Sequence, residues 1–332
     1  MKLRGIHYGN ILGASGVQGF FGEGYPFHRL LGPFGPRFDG MTFVAKTTTL
    51  NRQLGNMPLT KRLRPKELKP KCIWVSPIGQ TPLNAIGLSG PGAEELLDPL
   101  SGSHPHPDDL GLWAWQIRMA SFMISFMPVG KTVEERLEEM RQFVRILKRH
   151  LPHFKGKVAL QINVTCPNVG LDPLKLVGEI SQLLDTAAEL NIPLVPKLNL
   201  LVPPETAIET SKHPACDAIC ISNTIPFGKL ENKIQWKWMF PNGSPLKEFG
   251  GGGLSGPLLL PLVANWIWEA YAAGMEKPMN VGGGIMRKAD IDHLLNSGLR
   301  PGVDSVFIGS VAMLRPWRVQ GIIKHANKVL AA

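Results

Sequence analysis

The chain has 332 residues, with 36 Lys and Arg against 26 Asp and Glu, so its formal net charge is +10. Only 19% of the residues are charged and 44% are apolar, which excludes a disordered chain. The 36 glycines and 29 prolines exclude a coiled coil. The positive charge favours an anionic partner. Composition does not distinguish between nucleic acid, a membrane surface and a phosphorylated small molecule.

Cysteine usage and the N-terminus bear on the compartment. Four irregularly spaced cysteines are too few for a disulfide framework, and Cys216 and Cys220 have no second ligand pair, so we expect no metal site. The first residues lack the apolar core of a secretory signal, which favours a cytoplasmic protein. Residues 249–275 carry one charge, Glu269, but their apolar part is shorter than the roughly 20 residues of a membrane span. We expect a buried helix there.

Short apolar runs alternate with helical patterns along the chain. Strands are predicted at 10–14, 41–46, 121–126, 158–163, 194–198, 218–222, 279–281 and 305–308. Helices are predicted at 133–150, 173–190, 203–212, 257–273, 288–297 and 316–329. This order predicts a single α/β domain, a (β/α)8 TIM barrel over residues 1–332, with insertions after strands 2 and 6 (50–119 and 225–250). A doubly wound sheet is disfavoured because no G-x-G-x-x-G follows the first strand.

In such a barrel the functional residues lie at the carboxyl ends of the strands. Strands 7 and 8 end in glycine-rich turns that each precede a helix, a pattern typical of a phosphate site. The first strand ends in small residues that let a planar ligand approach the backbone. These two sets are Gly283, Gly284, Gly309 and Ser310, and Ala14, Ser15 and Gly16.

Two lysines, Lys46 and Lys197, each follow an apolar strand, where a cation is not buried without a partner. A lysine whose ammonium group reaches solvent at the strand rim is the alternative for either one alone. Together, in a barrel with a predicted phosphate site, they favour contact with an electron-rich ring such as a flavin. A cation there stabilises the negative charge of the reduced ring.

The run Asn163-Val-Thr-Cys166-Pro-Asn168 follows the fourth strand. A lone cysteine is usually a small buried hydrophobe, and we assign Cys72, Cys216 and Cys220 that role. Cys166 differs because it follows a strand end, precedes a proline and lies between two asparagines. With Asn84 and Asn223, these amides suit a polar planar substrate.

These motifs resemble those of the cysteine-type (class 1) dihydroorotate dehydrogenases. The run at 163–168 is similar to that family's N-x-S-C-P-N motif, and the strand end at Lys46 to its K-[ST]-x-T. Further similarities lie at Gly55-Asn56, at 83–88, at 222–224 and at 253–256, so that the resemblance runs from the first strand to the last.

The resemblance implies an FMN enzyme that oxidises dihydroorotate to orotate in pyrimidine biosynthesis. Cys166 would remove the C5 proton while the C6 hydride passes to flavin N5, with Lys46 as a second catalytic residue. The substrate would contact Asn84, Gly87, Leu88, Asn163, Asn168, Asn223 and Thr224. FMN would contact Ala14, Ser15, Gly16, Lys46, Thr47, Asn163, Lys197, Ser255, Gly256, Gly283, Gly284, Gly309 and Ser310.

Two departures from the family pattern bear on the substrate pocket. Ser89-Gly90 follows Leu88, where the family usually has Pro-Asn or Phe-Asn, and the loop after Asn168 is one residue shorter.

Alternatives remain open at this level. Other cysteine-based FMN barrels, the tRNA dihydrouridine synthases and dihydropyrimidine dehydrogenases, have similar motifs, but only about 22 residues follow Ser310, too few for an added RNA-binding domain. The chain is alternatively the barrel subunit of an electron-transfer complex. A third hypothesis, a barrel that binds nucleic acid, is supported only by six basic residues within 61–71. No aromatic residues lie between them to stack on bases, so we expect no nucleic-acid partner. A homodimer follows from the resemblance.

Overall fold

The computed structural model describes residues 1–76, 81–97, 115–164 and 178–331. Its strands, in chain order, are β1 (Lys2–Leu3), β2 (Ile6–His7), β3 (Ile11–Gly13), β4 (Ile73–Val75), β5 (Pro82–Asn84), β6 (Phe122–Phe126), β7 (Val158–Asn163), β8 (Leu194–Leu198), β9 (Ile219–Ile221), β10 (Ile225–Pro226), β11 (Gly253–Leu254), β12 (Met279–Gly282) and β13 (Ser305–Ile308).

Seven of these strands form one parallel sheet in the order β3-β13-β12-β9-β8-β7-β6. Residues 42–48 close it, since parallel bridges join Thr42 to Leu12 on β3, and Val44 and Thr48 to β6. The predicted (β/α)8 barrel is therefore confirmed. The second strand, expected at 41–46, consists of separate bridges, because the backbone N–H of Lys46 donates to the Gly19 carbonyl and interrupts the ladder.

The six predicted helices are present where the chain is described, and four further helices, each of four or five residues, were not predicted. They are α1 (Pro26–Leu30), α2 (Ala93–Leu97), α3 (Val133–His150), α4 (Ile180–Ala188), α5 (Pro204–Ser211), α6 (Trp236–Met239), α7 (Leu260–Ala272), α8 (Lys288–Asn296), α9 (Ser310–Leu314) and α10 (Val319–Val329). Short 3-10 turns, Pro257–Leu259 and Pro316–Arg318, precede α7 and α10. A capping box of Thr132 and Glu135 begins α3 at the residue that the pattern predicts.

The strand pleat separates two cores. Outward side chains pack against the helices, whereas alternate residues such as Met123, Ala159 and Val195 fill the barrel. The N-terminal hairpin β1-β2 closes the lower end of the barrel. Met1 and Leu3 join the interior core, and Arg4 Nε bonds Asp217, just before β9, at 2.9 Å.

The two insertions combine into a small antiparallel sheet, which the sequence did not predict. Its order is β10-β11-β5-β4, with Leu254 opposite Ile225 and Leu83. The second insertion therefore contributes through β11, beyond the predicted boundary at residue 250. Ser255 N donates to the Pro82 carbonyl at 2.9 Å and joins this sheet to the segment leading into α7. No helix in the described part of the chain is long and apolar enough to cross a membrane.

Candidate active site

A cavity of about 220 Å³ lies at the carboxyl ends of the barrel strands, beneath the insertion sheet. Every predicted site residue that the structure describes lines it. These are Ala14, Ser15, Gly16, Lys46, Thr47, Asn84, Gly87, Leu88, Asn163, Lys197, Asn223, Thr224, Ser255, Gly256, Gly283, Gly284, Gly309 and Ser310. Cys166 and Asn168 lie outside the described residues.

The asparagines of the fourth and sixth barrel strands meet in the cavity wall. Asn163 ends β7 and points inward because it alternates with the outward Ile162. Asn223 Nδ2 donates to Asn163 Oδ1 at 2.8 Å, and Asn163 Nδ2 donates to Thr47 Oγ1 at 3.3 Å. The N–H of Thr224 donates to Asn223 Oδ1 at 3.2 Å. Both amides are thus held in fixed orientations at the cavity surface.

Two buried lysines also line the cavity. Lys46 Nζ donates to the Ser89 carbonyl at 2.6 Å and lies 5.1 Å from the centre of the Phe20 ring. Lys197 Nζ lies 5.5 Å from the centre of the Phe307 ring. Two cations within one small cavity favour an anionic or electron-rich ligand.

The glycine turns after the last two strands are packed so closely that a side chain would meet neighbouring atoms. Gly284 has φ of +87°, and a Cβ there would lie 2.6 Å from the backbone nitrogen of Leu260. At Gly309, a Cβ would lie 3.0 Å from Ala14 Cβ. The turn at 283–284 therefore packs backbone to backbone against the start of α7, and glycine is required there.

Sequence reasoning missed several lining residues, of which Tyr25 and His28 are the most polar. His28 Nδ1 accepts from the Tyr25 N–H at 3.2 Å, and Nε2 lies 3.1 Å from the Ala312 carbonyl. Burial lowers the pKa of His28 to about 4, so the ring is neutral and donates from Nε2 at pH 7. No strand-end rule locates these residues, because α1 lies within the loop that follows β3.

The three described cysteines, Cys72, Cys216 and Cys220, are free and buried. Burial raises the pKa of Cys72 to about 11, and those of Cys216 and Cys220 to about 12. Thiols of this kind stay protonated at neutral pH and do not act as bases. Their assignment as structural residues agrees with this environment.

The basic segment 61–71 is an ordered loop with its charges outward. Leu63 is buried and a bridge joins Leu59 to Pro65, whereas Lys61, Arg62, Lys66, Lys69 and Lys71 are exposed. Within the described ranges, no group of three or more His, Cys, Asp or Glu side chains is arranged to hold a metal ion.

The fold and the cavity together define a class of protein, the (β/α)8 enzymes whose site is built from strand ends and whose last two strands carry glycine turns. The family model of dihydroorotate dehydrogenase matches residues 2–325 of this chain. The chain therefore belongs to the dihydroorotate dehydrogenase family, whose members are flavin-dependent oxidoreductases.

Similar proteins agree with this placement. The catalytic subunit of dihydroorotate dehydrogenase B (NAD(+)) from Desulforudis audaxviator is 28% identical, over 96% of this chain and 88% of its own length. The corresponding subunit from Anoxybacillus flavithermus is 27% identical, over 99% of this chain and 90% of its own length. Dihydroorotate dehydrogenase A (fumarate) from Lacticaseibacillus paracasei is 26% identical, over 87% of this chain and 84% of its own length.

Proposed function

We propose that this protein binds FMN in the strand-end cavity and oxidises dihydroorotate to orotate. The observation that carries the proposal is the cavity itself, where two buried lysines, an asparagine pair and two glycine turns meet in a chain of this family. Dihydroorotate is a carboxylate with a cyclic imide, so it offers the negative charge and the acceptor oxygens that such a wall favours.

The residues present fit FMN. The turns at Gly283-Gly284 and Gly309-Ser310 line the cavity with backbone that a phosphate could approach. Lys46 and Lys197 are only 8% and 7% exposed, and their charges would neutralise an electron-rich isoalloxazine. Ala14, Ser15 and Gly16 line the cavity with small side chains that admit a flat ring. FMN would supply the hydride acceptor for C6 of the substrate.

The protein's own residues would handle the proton and the substrate. In this proposal the Cys166 thiolate takes the C5 proton, so that loss of that proton and of a hydride from C6 creates the C5–C6 double bond. A free thiol has a pKa of about 8.5, so the base is more effective somewhat above neutral pH. The raised pKa values of the other three cysteines support this assignment.

The asparagines would orient the substrate. Asn163 and Asn223 already hold each other through one hydrogen bond, which limits their rotation. Their amides, with those of Asn84 and Asn168, would bind the pyrimidine oxygens and the carboxylate. Holding the ring in this way places C5 near the base, which lowers the entropic part of the barrier.

The names of the relatives bear on the electron acceptor. Two are catalytic subunits of an NAD(+)-linked enzyme, and one is a fumarate-linked enzyme. We propose that this chain passes its electrons to a separate subunit, since the NAD(+)-linked relatives cover nearly all of it. We also propose that the protein forms a homodimer and that it is located in the cytoplasm.

The decisive experiment is anaerobic stopped-flow bleaching of the purified flavoprotein. Dihydroorotate, dihydrouracil and dihydrouridine-containing tRNA are mixed with it side by side, and the absorbance near 450 nm is followed, roughly the usual flavin band. We expect stoichiometric FMN and rapid bleaching by dihydroorotate alone. A colourless protein that takes up no FMN, or bleaching only by one of the other compounds, would overturn the proposal.

A further inference from the structure

The side chain of Asn199 is completely buried just beyond the end of β8, and both ends of its amide are bonded. Its Nδ2 donates to the Thr224 carbonyl at 2.5 Å, and its Oδ1 accepts from the Leu201 N–H at 3.0 Å. Because a carbonyl only accepts and a backbone N–H only donates, these two contacts identify the nitrogen and the oxygen of the amide. Asn199 is not among the described residues that line the cavity, so it acts through Thr224, which does line it.

The segment held by Asn199 lies beyond the regular pairing of the barrel strands. The ladder between β8 and β9 ends at Leu198 and Ile221. Past that pair, the Asn223 N–H donates to the Leu198 carbonyl at 2.9 Å, and the Asn199 amide holds the carbonyl of the next residue, Thr224. Two consecutive residues at the end of β8 thus hold two consecutive residues after β9.

The Thr224 backbone in turn orients the Asn223 side chain. The Thr224 N–H donates to Asn223 Oδ1 at 3.2 Å, and Asn223 Nδ2 donates to Asn163 Oδ1 at 2.8 Å. The first bond keeps the amide oxygen on the side of Thr224, so that the nitrogen faces Asn163. At 3.2 Å it is at the long end of the usual range, so a small displacement of Thr224 breaks it.

Thr224 also marks the passage from the barrel to the insertion sheet. Ile225 follows it and begins β10, which pairs with β11. β11 in turn pairs with β5, which ends at the cavity residue Asn84. The glycine turns proposed for the FMN phosphate follow β12 and β13 instead. Displacement of Thr224 therefore acts first on the residues proposed for the substrate.

We propose that Asn199 is a positioning residue that, by holding the Thr224 carbonyl, keeps the Asn223 amide in the orientation that binds an anionic pyrimidine. This inference deepens the proposed function and rests on it. Without the Asn199 amide, the Thr224 carbonyl and the Leu201 N–H lose this partner, and the segment moves to find another. The Asn223 amide is then no longer preorganised, so part of the binding free energy of the ligand is used to order it.

The first test compares two affinities in one variant, Asn199→Ala. Orotate is titrated into oxidised holoenzyme and its Kd is read from the flavin absorbance, whereas the FMN Kd is read from the fluorescence of flavin released on dilution. We expect the orotate Kd to rise about three- to tenfold, the range of one lost hydrogen bond, and the FMN Kd to stay within about twofold of the wild type. A purely structural role would weaken both ligands together.

Asn327→Ala is the matched control. The Asn327 amide also joins distant segments, because its Nδ2 donates to the Gly40 carbonyl at 2.9 Å. Neither residue is among the described residues that line the cavity. Both Kd values of this variant should equal those of the wild type.

The second test is Asn199→Asp, read as the ratio of its orotate Kd to that of the wild type at each pH. A protonated carboxyl donates to the Thr224 carbonyl and accepts from the Leu201 N–H, as the amide does, whereas a carboxylate only accepts. The ratio should therefore be near one at low pH and rise as pH increases. Groups that titrate in both proteins cancel in this ratio. If Asn199→Ala does not fold, Asn199→Asp decides the question.

Outcomes separate this inference from the proposed function. A wild type that binds neither FMN nor orotate overturns the proposed function, and this inference with it. A wild type that binds both, with the orotate Kd of Asn199→Ala and Asn199→Asp within about twofold of it at every pH, overturns the positioning role alone. Parallel loss of FMN and orotate in Asn199→Ala overturns that role as well.

Discussion

Lys46 and Ser89 join the barrel to its first insertion, through a 2.6 Å hydrogen bond from the lysine Nζ to the serine carbonyl. Ser89 is one of the two residues after Leu88 that depart from the pattern of the resembling family. Its contact with Lys46 is made by the backbone carbonyl and not by the side chain. Its hydroxyl accepts from the Met57 N–H at 3.1 Å and lies 3.2 Å from the Ile86 carbonyl. The departure thus stabilises the loop that holds Lys46.

Replacing that lysine tests its role as the cation of the site. We expect Lys46→Met to slow flavin bleaching by dihydroorotate about 10²- to 10³-fold, because a fixed charge next to the developing negative charge is lost. Stopped-flow rates and the FMN Kd measure this. Lys66→Met, an exposed lysine in the basic loop, is the control and should behave as the wild type. Equal rates in both variants would contradict the role.

The glycine turn after β12 gives a second prediction. In Gly284→Ala the new Cβ would lie 2.6 Å from Leu260 N, and we expect FMN affinity to fall at least about tenfold, with a stability loss of about 1–3 kcal/mol. Gly228→Ala is the matched control, since Gly228 has a similar φ of +83° but no atom within 4 Å. Fluorescence titration with FMN separates the two, and equal FMN affinities would argue against the turn as the phosphate site.

The cysteine base gives a third prediction. Cys166→Ser should retain FMN but slow bleaching by dihydroorotate about 10²- to 10⁴-fold, because a hydroxyl ionises far less readily than a thiol. Cys216→Ala, at a buried thiol that donates to the Ala218 carbonyl, should affect stability and leave the rate unchanged. An unchanged rate in Cys166→Ser would remove Cys166 as the base.

A buried ion pair between α3 and the residue before α4 gives a fourth prediction. Arg136 on α3 binds both carboxylate oxygens of Glu179, at 2.7 and 2.5 Å, and both residues are buried. Arg136→Met should lower the free energy of unfolding by about 3–5 kcal/mol, because it leaves a buried charge unpaired. Arg136→Met with Glu179→Met should recover most of that loss in urea unfolding. A double variant no more stable than the single one would contradict this account.

The neutral His28 gives a fifth prediction, on pH. Its pKa is about 4 in the folded protein against 6.5 in the unfolded chain, so the unfolded chain binds the proton more readily between these values. Its contribution to stability is complete above pH 6.5 and is lost as pH falls toward 4. The Tm difference between wild type and His28→Gln should therefore shrink over that window.

The matched control is His153→Gln, which replaces an exposed histidine and removes no buried ring. The N-terminal amine, whose pKa is lowered to about 6 by burial, titrates in a higher window and is common to all three proteins. A difference for His28→Gln that does not change with pH would show that its neutral form is not what stabilises this part of the fold.

The sequence alone was sufficient for the barrel and for most of the described cavity wall. Continuous apolar runs identify strands covered on both faces, and parallel strands bring their carboxyl ends to one rim. Lys46, Asn163, Lys197 and Gly284 could thus be placed together from their strand-end positions. The capping box at Thr132 likewise marks the start of α3, because a cap depends only on residues close in sequence.

Tertiary structure decided what depends on contacts between distant segments. The insertion sheet pairs Leu83 with Leu254, and His28 bonds Ala312, separations that no local pattern encodes. The contacts of Ser125 with Thr47 and Gln161 likewise depend on the register of neighbouring strands. The sequence therefore predicted which lysines, Lys46 and Lys197, belong to the cavity, whereas the contacts of their ammonium groups with the Ser89 carbonyl and with the Phe307 ring required the folded chain.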